Sequence, residues 1–252
     1  AERFGLDVHL EPWDPRRGVT ADAVVDALRA DTGHEIKAVL VVHNETSTGV
    51  MLPVDGMCAL ARRTAPEMLL AIDGVSIAGA VEVRINSLRP DYYLWSLQKD
   101  FAIPAIGSVM VVSSRAVETA RALPNRGYVL DLIGWVERAE DAQTPMTVAD
   151  LSLRCLIARL EEMLAEGDRR FERHRNLARM QREWAYHHGL EVLARPGFES
   201  PTVTAISLPE CVTGPAFVAA VRNLLNVQLA PGYGPMRDCA FRIAAMGHTS
   251  EE

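Results

Sequence analysis

IKAVLVVHNETSTGV, residues 36–50, decides the fold class. Its first eight residues are an apolar run rich in valine. A run of that kind suits a strand buried on both faces, as strands are in a parallel sheet. It passes without a break into Asn44, Glu45, Thr46, Ser47, Thr48 and Gly49, a polar turn at the strand's carboxyl end. Upstream, ADAVVDALRA (21–30) has apolar residues at helical spacing, with Thr20 and Asp22 as start signals. Downstream, Pro53 stands near the start of a helix over about 53–65. MLLAID (68–73) is a second apolar run. After a weakly helical stretch come DYYLWS (91–96) and SVMVVS (108–113), and Ser114 opens a short helix that ends by Pro124. Short apolar strands alternating with helices predict an α/β fold with a mainly parallel sheet flanked by helices.

Beyond about residue 145 the pattern changes. Residues 147–166 predict one amphipathic helix ending at Gly167, and 168–188 a second. TVTAISL (202–208) is an alternating strand, PAFVAAVRNLL (215–225) is helical, and AFRIAAM (240–246) is a closing strand. This predicts a large domain over 1–150 and a connecting helix with a smaller α+β domain over 151–252. The boundary falls within 145–165.

Of the 252 residues 48% are apolar, enough for a sizeable core. The net charge of −7, from 26 basic and 33 acidic residues, comes without a long basic run. That argues against nucleic acid and against an anionic membrane as partners. Arg169, Arg170, Arg173 and Arg175 are mixed with Glu172 and read as the wet face of a helix. Cys58, Cys155, Cys211 and Cys239 are widely spaced, which excludes Cys-x-x-Cys redox and zinc motifs. They read as free buried thiols in a reducing, cytoplasmic compartment. No signal peptide or membrane span is legible. The opening AERFGLDVHLEP reads as the inside of a domain.

Polar residues gather where the apolar strands end. The first strand leads into Thr46, the second into Asp73, the third into Ser96, Gln98 and Lys99. In an open parallel sheet, ligands bind beyond the carboxyl ends of the strands. Three strands thus deliver a hydroxyl, a carboxylate and an amine to one edge. Singly, each has a plainer reading: Thr46 as a turn or cap, Asp73 before Gly74 as a turn residue, Lys99 as a solvated surface lysine. The order of the three, with GVS after Asp73 and a glutamine before Lys99, is more specific.

HNETSTGV (43–50), IDGVS (72–76), SLQK with a proline at 104, TPMT (144–147) and FRIAAMG (241–247) resemble the successive motifs of the class V aminotransferases. The nearest branch contains the alanine–glyoxylate and serine–glyoxylate enzymes. The resemblance covers nearly the whole chain. It implies the type I fold of pyridoxal-phosphate transferases, pyridoxal 5'-phosphate as cofactor, and a homodimer. The activity implied is transfer of an amino group from a small amino acid, alanine or serine, to glyoxylate or a similar 2-oxo acid. By the same match Lys99 would hold the cofactor as a Schiff base and move the substrate proton. Asp73 would keep the ring nitrogen protonated, Val75 pack under the ring, and Thr46 bond the phenolic oxygen. Gln98 and Thr144 would contact the phosphate, Thr144 from the second subunit. Arg242 would grip the substrate carboxylate with a fork of two hydrogen bonds; its plainer reading is a structural salt bridge.

The chain departs from the family pattern at Leu97, where a serine is usual, and at Pro104-Ala105-Ile106, where Pro-Pro-Gly is usual. It has Asp141 where a tyrosine is common and Ala244 where a glycine is. Neither the family's N-terminal phosphate loop nor its closing C-terminal helices are matched, so an incomplete large and small domain is the expectation. These departures leave an inactive or non-catalytic relative as the main rival. A desulfurase or lyase fits less well, because Gln98 stands where desulfurases have histidine and no cysteine lies on an evident mobile loop.

Overall fold

The computed structural model describes residues 2–124 and 126–251. Residues 1 and 252, the outer limits expected for the two domains, lie outside the described residues. Helix α1 (Ala21–Ala30) begins where Thr20 Oγ1 accepts the Ala23 N–H at 3.2 Å, and it buries Val24, Val25 and Leu28. Strand β1 (Ala38–Val42) leads into the short hairpin β2 (Asn44–Glu45) and β3 (Val50–Met51), and α2 (Val54–Thr64) follows. Then come β4 (Leu69–Asp73), one turn of helix α3 (Ile85–Leu88), β5 (Tyr92–Ser96), β6 (Ser108–Val112) and α4 (Ser114–Arg121), capped by the Ser113 hydroxyl.

The first sheet runs β1-β4-β5-β6. β1, β4 and β5 are parallel, and β6 returns antiparallel to β5. Alternation along β4 turns Leu70 and Ile72 into the core and leaves Leu69, Ala71 and Asp73 half-buried on the other face. Val41 and Tyr93 join the core face, which packs on Val24 and Leu28 of α1 and Met57, Cys58 and Ala61 of α2. Burial of β1 on both faces is not found. Leu40 is 76% and Val42 42% exposed. β1 is the edge strand, paired only with β4 among the described residues, and helices cover only its Val41 face. An apolar run records what a strand can bury, not how many faces are covered.

Asp91, almost wholly buried, knots this half together. Its carboxylate accepts Arg62 Nη2 at 2.8 Å, the Leu70 N–H at 2.7 Å, Ser113 Oγ at 2.8 Å and Arg115 Nε at 3.1 Å, with Arg115 Nη2 also bound. Helix α2, strand β4 and the start of α4 thereby share one charge.

Helix α5 (Leu132–Glu140), absent from the sequence reading, is capped by Asp131, which accepts the Ile133 N–H. Helix α6 (Asp150–Glu166) starts three residues later than expected, and α7 (Arg169–His187) follows a turn at Gly167. Strand β7 (Val203–Ser207), helix α8 (Gly214–Leu225), β8 (Ala230–Pro231) and β9 (Ala240–Ala244) form the second unit. Its sheet is antiparallel in the order β7-β9-β8. Phe241 centres the second core with Ala185, Val192, Ile206 and Val218, and its ring lies 4.5 Å from that of Phe217. The alternating strand β7 is buried at four successive residues. Thr204 meets α7, its Oγ1 2.8 Å from Gln181 Oε1, while the backbone of Val203 and Ala205 meets Gly49.

Two further expectations are corrected. Arg170 and Arg173 are not simply a wet face: Arg170 bonds the Gly79 carbonyl, and Arg173 bonds Glu166 at 2.7 Å and Gly247 O at 3.1 Å. The long arginine stem reaches across an interface that sequence spacing cannot show. The four cysteines are free, but only Cys58 is buried; Cys211 and Cys239 are exposed in loops of the second unit.

Backbone and side-chain bonds join the two sheets. Gly49, at φ +71°, lets its turn approach β7 so closely that a Cβ there would stand 2.7 Å from Val203 O. Ser200 N donates to Gly49 O and Met51 N to Phe198 O, both at 2.8 Å. Thr202 Oγ1 donates to Ser76 O at 2.6 Å, and Asn44 Nδ2 reaches both at 3.3 Å.

Candidate active site

The carboxyl ends of β1, β4 and β5 lie side by side. Asp73 is in register with Val42 on one neighbour and Leu94 on the other, so its carboxylate stands on the open face among apolar side chains. Asp73 Oδ1 accepts the Val75 N–H at 2.8 Å and so folds the turn that carries Gly74, Val75 and Ser76. Ser76 Oγ lies 2.7 Å from Thr46 Oγ1. One hydroxyl pair therefore ties the turn after β2 to the turn after β4.

Beneath them His43 donates its backbone N–H to Asp73 O at 2.9 Å, and its Nδ1 is 3.1 Å from the Tyr93 hydroxyl. Burial pushes His43 down to about 4, so its ring is neutral near pH 7. Burial, with the charge of Asp73, pushes the Tyr93 hydroxyl well above its usual range. The pair is thus neutral, hydrogen-bonded and buried, and feels the charge of Asp73 at the Tyr93 hydroxyl.

Lys99 is half-buried in the turn after β5, where its carbonyl accepts the Ala102 N–H at 2.9 Å. Gln98 beside it is exposed. Leu97, where the pattern led us to expect a serine, points inward and is buried against Gly107. The hydroxyl is moved by one position: Ser96 Oγ is buried without a hydrogen-bond partner among the described residues.

Arg242 on β9 comes from the second unit to the same edge. Its Nη1 donates to Thr46 O at 3.1 Å and its Nε to Pro231 O at 2.9 Å. Its guanidinium carbon lies 5.9 Å from the centre of the Tyr233 ring. Among the described residues the expected plainer role, a salt bridge, is replaced by bonds to two uncharged carbonyls. Burial lowers its pKa, with the Glu45 carboxylate opposing, and a guanidinium remains protonated.

Thr46, Asp73, Val75 and Arg242 are brought together through these bonds, and Gln98 and Lys99 stand at the end of the next strand. Thr144 is not: it is exposed in the loop after α5 and bonds its own loop, at Met146 O, 2.6 Å away. The sequence reading passed over His43, Tyr93 and Ser76 as site residues. His43 sits at the end of the apolar run and Ser76 in the GVS triplet, but nothing in their spacing shows a cross-strand partner.

The aminotransferase class-V family model matches residues 1–175. The chain belongs to the aminotransferase class V family. It is 32% identical to a serine–glyoxylate aminotransferase of Hyphomicrobium methylovorum, over 99% of this chain and 63% of that protein. It is 33% identical to an L-aspartate–glyoxylate aminotransferase of Paracoccus denitrificans, over 99% and 64% respectively. The structure of pyridoxamine–pyruvate aminotransferase from Mesorhizobium loti superposes with a TM-score of 0.85 at 30% identity, covering 91% of this chain and 59% of the other. The type I pyridoxal-phosphate transferase fold is thereby established, and the chain spans a little under two thirds of these relatives' length.

Pyridoxal phosphate is the cofactor of this family. The residues present suit its ring. A carboxylate stands among apolar positions, a hydroxyl is held in place by Ser76, and an amine follows the adjacent strand. For the phosphate, the two side chains expected to serve it, Gln98 and Thr144, stand on separate loops.

Proposed function

We propose that this class V aminotransferase chain carries the catalytic part of a pyridoxal-phosphate transaminase that moves an amino group from alanine or serine to glyoxylate or a similar 2-oxo acid. The observation that carries the reading is the convergence of Thr46, Asp73 and Arg242 through the Thr46–Ser76 and Arg242–Thr46 bonds, with Lys99 on the neighbouring strand end. The serine–glyoxylate name of one relative supports serine as donor, and glyoxylate in both names supports the acceptor.

When bound, the cofactor supplies an electrophilic carbonyl carbon and an electron-withdrawing ring. Lys99 would provide the amine that holds the cofactor at that carbon and, once displaced by the substrate's amine, would use its freed nitrogen to take a proton from the substrate's α-carbon and return one. Asp73 would hold a proton on the ring nitrogen by its charge, and its apolar register neighbours Val42 and Leu94 would strengthen that attraction. Thr46, held by Ser76, would offer its hydroxyl to the phenolic oxygen. Val75 packs against the ring. Arg242 has spent Nε and one Nη1 hydrogen on carbonyls, which leaves its Nη1–Nη2 end for a substrate carboxylate.

Gln98 serves the phosphate from beside Lys99. Thr144, exposed and bonded within its own loop, would serve the second copy's phosphate in a homodimer. We place the division of the chain at 1–150 and 151–252. We place the protein in the cytoplasm, where four unpaired cysteines are stable; no helix among the described residues is long and apolar enough to cross a membrane.

The test is covalent labelling. Borohydride reduction of the cofactor-loaded protein, followed by peptide mapping, should place the pyridoxyl group on Lys99. Lys37 is the only other lysine. A label confined to Lys37, or no label, would overturn the assignment.

A further inference from the structure

Asp100 follows Lys99 directly and is wholly buried, as is His174 on α7. The reaction proposed above uses neither. His174 Nδ1 lies 2.6 Å from Ala245 O. A carbonyl oxygen only accepts, so Nδ1 carries a hydrogen and Nε2 is the nitrogen turned toward Asp100. Asp100 Oδ1 stands 3.8 Å from that Nε2. With a carboxylate and a neutral imidazole, two sets of lone pairs would face each other away from water. Among the described residues, both His174 Nε2 and Asp100 Oδ2 are buried without a partner. Unpaired buried polar atoms are costly, and one proton placed between the two groups gives Nε2 a donor and removes the buried carboxylate charge. The gap exceeds a hydrogen bond by roughly 1 Å. Rotation of the carboxyl about its soft terminal torsion is the motion that closes it.

The surrounding charges do not neutralise Asp100 by contact. Lys99 on its own turn and Arg170 and Arg173 on α7 face it, and Glu166, Arg170 and Arg173 face His174. The arginines' hydrogen bonds go elsewhere, Arg170 to Gly79 O and Met163 O, and Arg173 to Glu166, Gly247 O and Thr249 O. The one hydrogen bond to the Asp100 side chain among the described residues is a long one, from Gly247 N at 3.4 Å.

Three segments meet at this pair. Gly247, just beyond the strand that carries Arg242, lies so close to the Lys99 turn that a Cβ on it would stand 2.8 Å from the Ala102 Cβ. A Cβ on Gly79, in the turns that follow Asp73, would stand 3.2 Å from the Asp100 Cβ. His174 brings α7.

We infer that Asp100 and His174 hold one buried proton between them and act as positioning residues, fixing the Lys99 turn against the segment that leaves β9. The shared proton stands independently of the proposed reaction; its consequence for Lys99 chemistry rests on that reading.

The pH dependence follows. Burial raises Asp100 from 3.8 to about 7, with the Gly247 N–H and the three cations pulling the other way. Burial lowers His174 from 6.5 to about 4, with the Ala245 carbonyl opposing. A carboxyl whose pKa is raised by folding contributes stability at low pH that is lost as pH rises from 3.8 to about 7. An imidazole whose pKa is lowered contributes stability at high pH that is lost as pH falls from 6.5 to about 4. Folded or unfolded, the pair carries one proton through most of this window, so in the native protein the two slopes largely cancel.

Substitution of either partner uncovers the other's slope. Urea midpoints of the cofactor-free chain, of Asp100→Asn and of His174→Gln are measured between about pH 4.5 and 7.5. Relative to the native chain, Asp100→Asn should gain midpoint as pH rises, and His174→Gln should gain it as pH falls. Constant offsets in both variants would overturn the shared proton. Should a variant fail to fold, imidazole nitrogen spectra of the native chain decide: His174 should stay in the neutral Nδ1–H form from about pH 5 to 7, and titration near 6.5 would overturn it.

The positioning role is read at Lys99. After reductive methylation with labelled formaldehyde, the Lys99 methyl signal should show an inflection near pH 7 that Lys37 lacks and Asp100→Asn abolishes. A Lys99 signal that passes unchanged through this range would overturn that role. None of these measurements contains cofactor, so a failed borohydride label would count against the proposed reaction alone.

Discussion

At the scale of single residues, the candidate site depends on charges that are held but not cancelled. Asp73 spends one oxygen on the Val75 N–H and keeps the other free of hydrogen bonds among the described residues. On the proposed role, in which the charge of Asp73 keeps the ring nitrogen protonated, Asp73→Ala should lower turnover of the loaded enzyme by several powers of ten. Steady-state rates of a variant that still folds check this, and near-native turnover would count against the role. Arg242 is different, since it also joins β9 to the Thr46 turn. Arg242→Lys keeps the charge and loses the planar fork. The Michaelis constants for amino acid and oxo acid should both rise about tenfold or more, as the loss of a charged hydrogen bond implies. If only the melting temperature moves, its work is confined to the bonds with Thr46 O and Pro231 O. The site residues named from motifs are those whose chemistry is peculiar to the reaction. His43 and Tyr93 were not legible in that way, because their role depends on a partner 50 positions away.

At the scale of elements, Asp91 shows how the strand ends are kept in line. It binds α2 through Arg62, β4 through the Leu70 N–H, and α4 through Ser113 and Arg115. Asp91→Ala should cost roughly 3 kcal/mol, the low end for breaking a buried ion pair, because Arg62 and Arg115 keep some contact with water. Urea unfolding measures it, and a loss below about 1 kcal/mol would make the cluster no stronger than a surface ion pair. Most elements could be located from the sequence to within a residue or two, since apolar periodicity and caps such as Thr20 and Ser113 are local signals. Helix α5 escaped because it is short and partly exposed, and α6 begins at Asp150, leaving Thr147, the exposed Val148 and Ala149 outside the helix.

At the scale of the whole molecule, the two sheets are joined by buried polar bonds as well as by the chain. Thr202 is wholly buried and bonds Ser76 O, while Ser200 and Met51 complete the backbone bridge. Thr202→Val keeps the shape and leaves Ser76 O and Asn44 Nδ2 with only each other, at a cost of about 1 kcal/mol. Single-tryptophan variants retaining Trp95 or Trp184 would report the two cores separately. In the native chain their urea transitions should coincide. Two separate transitions would show that the sheets fold independently and that this bridge carries little.

The order of residues alone determined the succession of strands and helices, the α/β class, and the delivery of Thr46, Asp73 and Lys99 to one sheet edge. It could do so because periodicity, capping and the rule that ligands sit at the carboxyl ends of parallel strands all act over short stretches of chain. Tertiary structure decided which faces of β1 and β7 are covered, which arginines are spent on carbonyls, and that Asp100 meets His174. Those outcomes depend on contacts between residues tens of positions apart. A side chain's type limits what it can bond, but only packing brings the partner within reach.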